Sequence, residues 1–240
     1  MDYIVWENLG SATKLVMNQL HYLGLLFMIL AYSFKVYQLF QKPAAVEGTP
    51  SRGDHGKAIR YAYMTLAMPW ELESQRRHWF RYLEFVFFHL AMAVGIGFAF
   101  MVPITHEVMK NPAISLFARL FFGLGFLIGI SRLSRRIFRA EMRHISTPDD
   151  FFCLSLLSLW MLSGWFAAPL KDATWLFVFY CMATFFLFYV PFSKISHYVY
   201  FAFIRYYVGK HFGHRGTFPK KRVSGNSQRG ASGIGFSENR

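Results

Sequence analysis

The sequence predicts an all-α integral membrane protein with five transmembrane helices. Five segments are apolar over about 20 residues, which is the length that an α-helix needs to cross a hydrocarbon core of about 30 Å. Of the 240 residues, 54% are hydrophobic and only 16% are charged, whereas about 25% of the residues of a soluble domain are charged. The basic residues flank the apolar segments, which is typical of membrane proteins.

The predicted spans cover residues 14–37, 82–102, 113–130, 151–170 and 173–190. Each is predicted to be a helix because lipid offers no hydrogen-bond partner to backbone amides. Pro191 and a further apolar stretch follow the fifth span, so we expect a helix that kinks at the proline and extends past the bilayer. The N-terminus has neither a basic start nor a small-residue cleavage site, so we expect no signal peptide.

Lysine and arginine are distributed unevenly between the two sides of the membrane. Most of the 26 Lys and Arg residues follow the first, third and fifth spans. On the other side we count only Lys14, Lys110 and Lys171, near the ends of spans. The positive-inside rule therefore predicts a multi-pass protein of the cytoplasmic membrane, with its N-terminus outside and its C-terminus in the cytoplasm.

Composition divides the chain into two parts. Residues 1–210 hold the five predicted spans, and residues 211–240 form a basic tail that we expect to be flexible, because it is rich in Gly, Ser and Arg and poor in apolar residues. The net charge of +13 does not indicate a nucleic-acid-binding protein, because the basic residues flank membrane spans rather than a soluble face.

The two cysteines, Cys153 and Cys181, both lie within apolar runs. Two cysteines cannot form a disulfide scaffold, and they cannot hold an iron–sulfur cluster, which usually needs about four thiolates. Any electron-transfer chemistry of this chain would therefore depend on another cofactor and on a partner or a diffusible carrier.

Two of the nine histidines stand out because of their depth in the predicted membrane. His89 lies in an apolar run eight residues after Arg81, and His197 lies eight residues before Arg205. At 1.5 Å per residue, both imidazoles lie roughly 12 Å inside those arginines, on helices that run in opposite directions. Lys194 fits this estimate only if it snorkels or meets an anion.

Two histidines on facing helices at one depth predict a bis-imidazole haem site. The alternative is a pair of neutral histidines that form hydrogen bonds between helices. The sequence lacks Cys-x-x-Cys-His, so the haem would be b-type and not covalently attached. Arg81, Arg135 and Arg136 lie on the side where the propionates would need cations, although such arginines also simply mark topology.

Two long segments contain several of these residues: 126–164, FLIGISRLSRRIFRAEMRHISTPDDFFCLSLLSLWMLSG, and 185–212, FFLFYVPFSKISHYVYFAFIRYYVGKHF. They resemble the gamma subunit of respiratory nitrate reductases. They also resemble the cytochrome b subunits of sulfite-reduction-linked and heterodisulfide-reductase-type membrane complexes. The most specific features of this resemblance are the double-basic turn after span three, the Pro-Phe-Ser-Lys-x-x-His end of span five and the Phe-His pair in span two.

The resemblance implies five spans with the N-terminus outside and haem b ligated by histidines of spans two and five. The ligands of the inner haem fall on His89 and His197. Nitrate reductase gamma subunits hold a second, outer haem, but the counterparts of its ligands here are Ala99 and Phe179 or Tyr180, which cannot take that role. One haem is therefore expected.

A second haem would need other ligands, and His21 and His106 are the candidates on that side. Interfacial histidines are the alternative interpretation of both residues. Lys110 falls where the family has a lysine at its quinol pocket. With His106 and Glu107 it offers donors and proton exchange to a quinone such as menaquinone, although a lysine at that boundary also serves as a membrane anchor.

The sequence therefore predicts a haem b-containing membrane anchor subunit. It would transfer electrons between the quinone pool and a cytoplasmic iron–sulfur subunit, with substrate chemistry on partner subunits in the membrane, cytoplasm or periplasm. The missing outer-haem pair and the short loop between spans four and five favour the sulfite- and heterodisulfide-linked complexes over nitrate reductase. The alternative is a haem-free anchor or a transporter-like protein, but Glu84 is the only acid close to a span interior.

Overall fold

The computed structural model describes residues 9–43, 48, 53–68, 70 and 73–217. It contains five helices that are long and apolar enough to cross a membrane: span 1, Ser11–Gln41; span 2, Trp79–Lys110; span 3, Pro112–Phe138; span 4, Pro148–Ala167; and span 5, Ala173–Phe192. The described residues include no strand. The predicted all-α fold with five transmembrane helices is confirmed, while the orientation of its termini stays a prediction.

Span 1 lies at the edge of the bundle and changes helix type along its length. Ser11–Lys14 is α-helical, Leu15–Leu20 is π-helical and His21–Gln41 is α-helical again. Gly24 faces span 5, since a Cβ atom there would lie 3.0 Å from the Cβ atom of Leu187. Most large apolar side chains on the other faces of this span are exposed, as expected for contact with lipid.

Spans 3 and 4 approach each other closely because small residues lie between them. A Cβ atom on Gly129 would lie 2.2 Å from the Oγ atom of Ser158, and one on Gly164 would lie 2.5 Å from the Phe122 ring. Small residues allow this close contact between membrane helices, where van der Waals packing replaces the hydrophobic effect. This packing sets the distance between spans 3 and 4.

An aromatic core fills the middle of the bundle. The Phe179 ring lies 5.1 Å from Phe98, 5.8 Å from Phe122 and 5.3 Å from Trp160, centre to centre. The buried Tyr180 hydroxyl donates a hydrogen bond to the Ala99 carbonyl oxygen over 3.0 Å. Ala99, Phe179 and Tyr180, where the sequence resemblance would require ligands of an outer haem, are thus packed in this core.

Span 5 does not continue through Pro191 as one kinked helix. Its α-helix ends at Tyr189, two short 3₁₀ turns cover Val190–Phe192 and Lys194–Ser196, and a new α-helix, His197–Thr217, follows. Span 1 contacts this break, since its Lys35 side chain donates a hydrogen bond to the Pro191 carbonyl oxygen. As a result, His197 is the first residue of a helix.

The chain divides into two compact units, and residues 1–46 and 78–201 form the unit that contains the spans. In the other unit, 47–77 and 202–240, the helix His55–Met64 packs against Gly209, where a Cβ atom would lie 2.4 Å from the Ile59 Cα atom. Asp54 caps this helix by accepting a hydrogen bond from the Lys57 amide, which lowers the pKa of its carboxyl.

The division of the chain into a membrane domain, 1–210, and a tail, 211–240, stays a prediction. Residues 211–217 belong to the helix that begins at His197. Residues 218–240 lie outside the described part of the chain.

Candidate functional site

A cavity of about 770 Å³ lies between spans 2, 3 and 4 and the start of the helix that follows the break. His89 and His197, the two histidines singled out by their depth, both line it. Cofactor and ligand sites commonly have volumes of about 300–1,000 Å³. We call this cavity the histidine pocket.

The structure brings the two imidazoles together. The ring centres of His89 and His197 lie 6.2 Å apart, and the ring planes cross at 83°. Both residues are exposed, since they border the pocket rather than the packed core. The predicted pairing of these two histidines is therefore present in the structure.

Hydrogen bonds determine which ring nitrogens carry the protons. The Nδ1 atom of His89 lies 2.7 Å from the Phe85 carbonyl oxygen, and that of His197 lies 3.1 Å from the Lys194 carbonyl oxygen. A carbonyl oxygen only accepts, so both Nδ1 atoms must donate. In the neutral rings, each Nε2 atom then keeps its lone pair, which is the state that binds a metal.

The spacing of the two rings would leave room for one metal ion between them. Two imidazoles on opposite sides of a metal have ring centres about 6.3 Å apart, because the metal–nitrogen bond is about 2.0 Å and each ring centre lies about 1.15 Å behind its nitrogen. Each ring can rotate about its own bond, so a crossing angle of 83° is compatible with this arrangement. The donor set, two neutral imidazoles, suits haem b.

Cations surround the histidine pocket. The three arginines predicted to face propionates, Arg81, Arg135 and Arg136, all line it. Arg135 makes a bidentate ion pair with Glu84, with N–O distances of 2.8 and 2.6 Å, and Arg136 donates to the Ser146 hydroxyl over 2.6 Å. Two of the three predicted cations, Arg135 and Arg136, therefore already bind other side chains of the protein.

Three further cations, Arg132, Arg139 and Lys194, also line the pocket, and the sequence alone assigned none of them to a binding site. Arg132 places its guanidinium 4.8 Å from the centre of the Phe88 ring. Lys194 meets an anion, since its Nζ atom lies 3.0 Å from the Asp150 carboxylate and 2.6 Å from the Thr147 hydroxyl. For Arg132, which lies within the helix of span 3, helix rotation decides the position, and helical periodicity could have indicated it.

A small polar network beside the pocket was not predicted. The Tyr189 hydroxyl donates to the Asp149 carboxylate over 2.7 Å and lies 3.1 Å from the Cys153 sulfur. Cys153 also lines the histidine pocket. The network ties the start of span 4 to the end of span 5, close to the break that presents His197.

His21 and His106, the candidates for a second haem, have different partners. His21 is buried in the bundle, with its Nδ1 atom 3.4 Å from the Thr184 hydroxyl and its ring 5.6 Å from Tyr180. Its Nε2 atom is buried without a hydrogen-bond partner. His106 is partly exposed and lies 3.1 Å from a Glu107 carboxylate oxygen.

The predicted quinone-contacting residues form one exposed cluster on a 3₁₀ turn, His106–Lys110. Lys110 pairs with Glu107 over 2.6 Å, and His106 meets the same carboxylate. We call these three residues the lysine cluster. Its nearest residue, His106, lies about 25 Å from His89 along span 2, at 1.5 Å per residue.

Among the described residues, no group of three or more His, Cys, Asp or Glu side chains is placed to hold a metal ion. The two imidazoles therefore suit a metal whose remaining ligands come from another molecule, such as a macrocycle. No protein family, curated protein or solved structure matches the chain in the comparisons. The resemblance to nitrate reductase gamma subunits therefore stays a prediction based on the sequence segments quoted above.

Proposed function

We propose that this chain is a haem b-binding membrane subunit that carries electrons between the quinone pool and a cytoplasmic iron–sulfur partner. The observation that carries the proposal is the pair His89 and His197, with ring centres 6.2 Å apart and both Nδ1 atoms bound to backbone carbonyls. A haem b bound between them would supply a one-electron redox centre.

The residues of the chain have separate tasks in this proposal. The Phe85 and Lys194 carbonyls hold each imidazole in the tautomer whose Nε2 atom can ligate iron. Phe85, Phe88 and Leu154 line the pocket and would provide apolar contacts to the haem ring. Arg81, Arg132 and Arg136 would face the two propionates, which need cations at the membrane edge.

Arg135 has a different task from its neighbours. Its guanidinium is held by both oxygens of Glu84, which also accepts a hydrogen bond from Ser131 over 3.3 Å. This ion pair joins spans 2 and 3 at the pocket wall. We therefore propose Arg135 as a positioning residue and not as a propionate ligand.

The partners follow from what the chain lacks. With two cysteines in the whole chain, it cannot hold its own iron–sulfur cluster. Electrons would therefore leave to another chain or to a diffusible carrier, and the family resemblance implies a cytoplasmic iron–sulfur subunit of a larger oxidoreductase in the cytoplasmic membrane. We propose a sulfite- or heterodisulfide-linked complex before a nitrate reductase, since Ala99 and Tyr180 are packed against each other where an outer haem would need ligands.

We place the quinone contact at the lysine cluster, where Lys110 and His106 are donors and Glu107 can exchange a proton. The separation of about 25 Å from His89 along span 2 makes this a separate assignment from the haem site. The haem assignment can therefore be tested without the quinone contact.

The test is a dithionite-reduced minus oxidised difference spectrum with a pyridine haemochrome count on the purified full-length protein. Wild type should hold one haem b per chain, and His89→Ala and His197→Ala should each lose it. Folded wild-type protein without haem would reject the proposal in favour of a haem-free anchor. Two haems per chain would reveal a second site, and His21→Ala and His106→Ala would then be compared.

A further inference from the structure

Arg119 is a charged residue inside a membrane span. It lies in span 3, Pro112–Phe138, about two helical turns or roughly 10 Å from the first residue. It was missing from the sequence-based charge map, which considered cations near span ends. Ionisable residues within spans are costly and usually have a function and a partner.

Trp165 of span 4 holds the Arg119 side chain in place. The guanidinium carbon lies 4.9 Å from the centre of the indole ring, which is a cation–π contact. One turn further along span 3, a Cβ atom on Gly123 would lie 2.3 Å from the same indole. The indole therefore lies directly on Gly123, and the absence of a side chain there allows it to reach Arg119.

The charge of Arg119 has no carboxylate partner among the residues that the structure describes. In contrast, Arg135 pairs with Glu84 and Lys194 pairs with Asp150. The Nε atom of Arg119 is also buried without a hydrogen-bond partner. Within the described part of the chain, this half-buried guanidinium therefore has no counter-ion.

We propose that Arg119 and Trp165 form a binding site for the phosphate of an anionic phospholipid. A guanidinium matches phosphate oxygens with parallel N–H donors. Side chains on a helix lean towards its N-terminus, so Arg119 leans towards the Pro112 end of span 3, where headgroups lie. Trp165 is two residues from the end of span 4, Ala167, and tryptophan favours this interfacial depth.

This depth favours a lipid headgroup over an acidic residue from a neighbouring membrane helix. The headgroup phosphate lies at the boundary that the side chain approaches, whereas a partner carboxylate would itself have to enter the apolar region. The site is also distinct from the histidine pocket, because neither Arg119 nor Trp165 lines that pocket.

The test is native mass spectrometry of the full-length protein released from nanodiscs of phosphatidylcholine with one-fifth phosphatidylglycerol. Wild type should retain phosphatidylglycerol, and Arg119→Gln should retain about tenfold less, since charge-assisted hydrogen bonds have effects of this size. Lys171→Gln, which removes an exposed cation at the same end of the bundle, should retain as much as wild type.

Two further variants keep the test decisive if Arg119→Gln does not fold. Arg119→Lys keeps the charge but loses the planar donor fork, and Trp165→Leu removes the cation–π contact, so both should show intermediate retention. Equal retention by wild type, Arg119→Lys and Trp165→Leu would overturn the proposal. It would also be overturned if wild type retained phosphatidylcholine equally well, or if free inorganic phosphate displaced the lipid completely.

Discussion

The two ends of span 2 use charged residues in opposite ways. Near its start, His89 faces His197 across a cavity of about 770 Å³ whose wall carries several arginines. At its end, His106 and Lys110 both turn to Glu107 on an exposed 3₁₀ turn. In the first region, the Nε2 lone pairs of two histidines are available beside a cavity. In the second, the charged groups pair with one another.

This difference supports the proposal that the histidine pocket, rather than the lysine cluster, holds a bound group. A cofactor site needs ligands whose orientation is fixed by other contacts, and both pocket histidines have their Nδ1 atoms bound to backbone carbonyls. In the lysine cluster, His106 and Lys110 both pair with Glu107, and Glu107 and Lys110 are exposed. Such a cluster suits transient contact with a diffusing molecule better than permanent binding.

The largest expected effect is on haem content. His89→Ala and His197→Ala should each abolish it, because one imidazole cannot replace the other as an axial ligand. His106→Ala should keep the wild-type content, because that ring belongs to the lysine cluster. A pyridine haemochrome count on each purified variant measures this difference, and loss of haem from His106→Ala would break the distinction between the two ends.

The next effect concerns the contact between spans 3 and 4 beside the histidine pocket. Gly129→Ala would place a Cβ atom 2.2 Å from the Ser158 Oγ atom and 3.7 Å from the Phe88 ring, which lines the pocket. We expect it to lower the free energy of unfolding by about 1–3 kcal/mol, as overpacking does.

Gly97→Ala is the matched control, since a Cβ atom there meets no atom within 4 Å. Thermal unfolding in detergent, followed by circular dichroism, compares the two variants. An unfolding temperature for Gly129→Ala equal to that of Gly97→Ala would contradict the close contact between Gly129 and Ser158.

Ion pairs at the two ends should differ in their contribution to stability. Arg135→Gln leaves the half-buried Glu84 without its bidentate partner, and we expect a loss of about 1–3 kcal/mol. Lys110→Gln breaks an exposed pair and should leave the free energy of unfolding unchanged within error. Denaturation of both variants by heat tests this, and equal losses would contradict the contrast.

The smallest effect is kinetic and lies at the lysine cluster. Lys110→Gln should slow the reduction of haem by an added menaquinol analogue by a few-fold, because Glu107 loses the cation that holds it. Haem content should stay unchanged. Stopped-flow spectroscopy measures the rate, with Lys171→Gln as a control. An unchanged rate in Lys110→Gln would show that the quinone does not bind at the lysine cluster.

The sequence predicted the spans well because each depends on a local property, an apolar run of sufficient length. It also predicted the pairing of His89 and His197, since helix rise converts sequence distance from Arg81 and Arg205 into depth. Periodicity did not indicate the break at Val190–Ser196, where the Pro191 carbonyl oxygen accepts a hydrogen bond from Lys35, a residue distant in sequence.

Helix rotation explains what else the sequence did not reveal. Arg135 and Arg136 were assigned the same role, yet only Arg135 meets Glu84, because adjacent residues on a helix point in directions about 100° apart. Arg119 was missed for another reason. The positive-inside rule counts cations near span ends, and a cation inside a span shows its partner, Trp165, only in three dimensions.

The most direct test of bis-histidine haem binding is the near-infrared magnetic circular dichroism spectrum of the oxidised, purified protein. This spectrum reports the two axial ligands of a low-spin ferric haem. We predict the signature of two neutral imidazoles in wild type and its loss in His197→Ala. A folded protein without a haem signal, or a signal from a different pair of axial ligands, would contradict the assignment of His89 and His197.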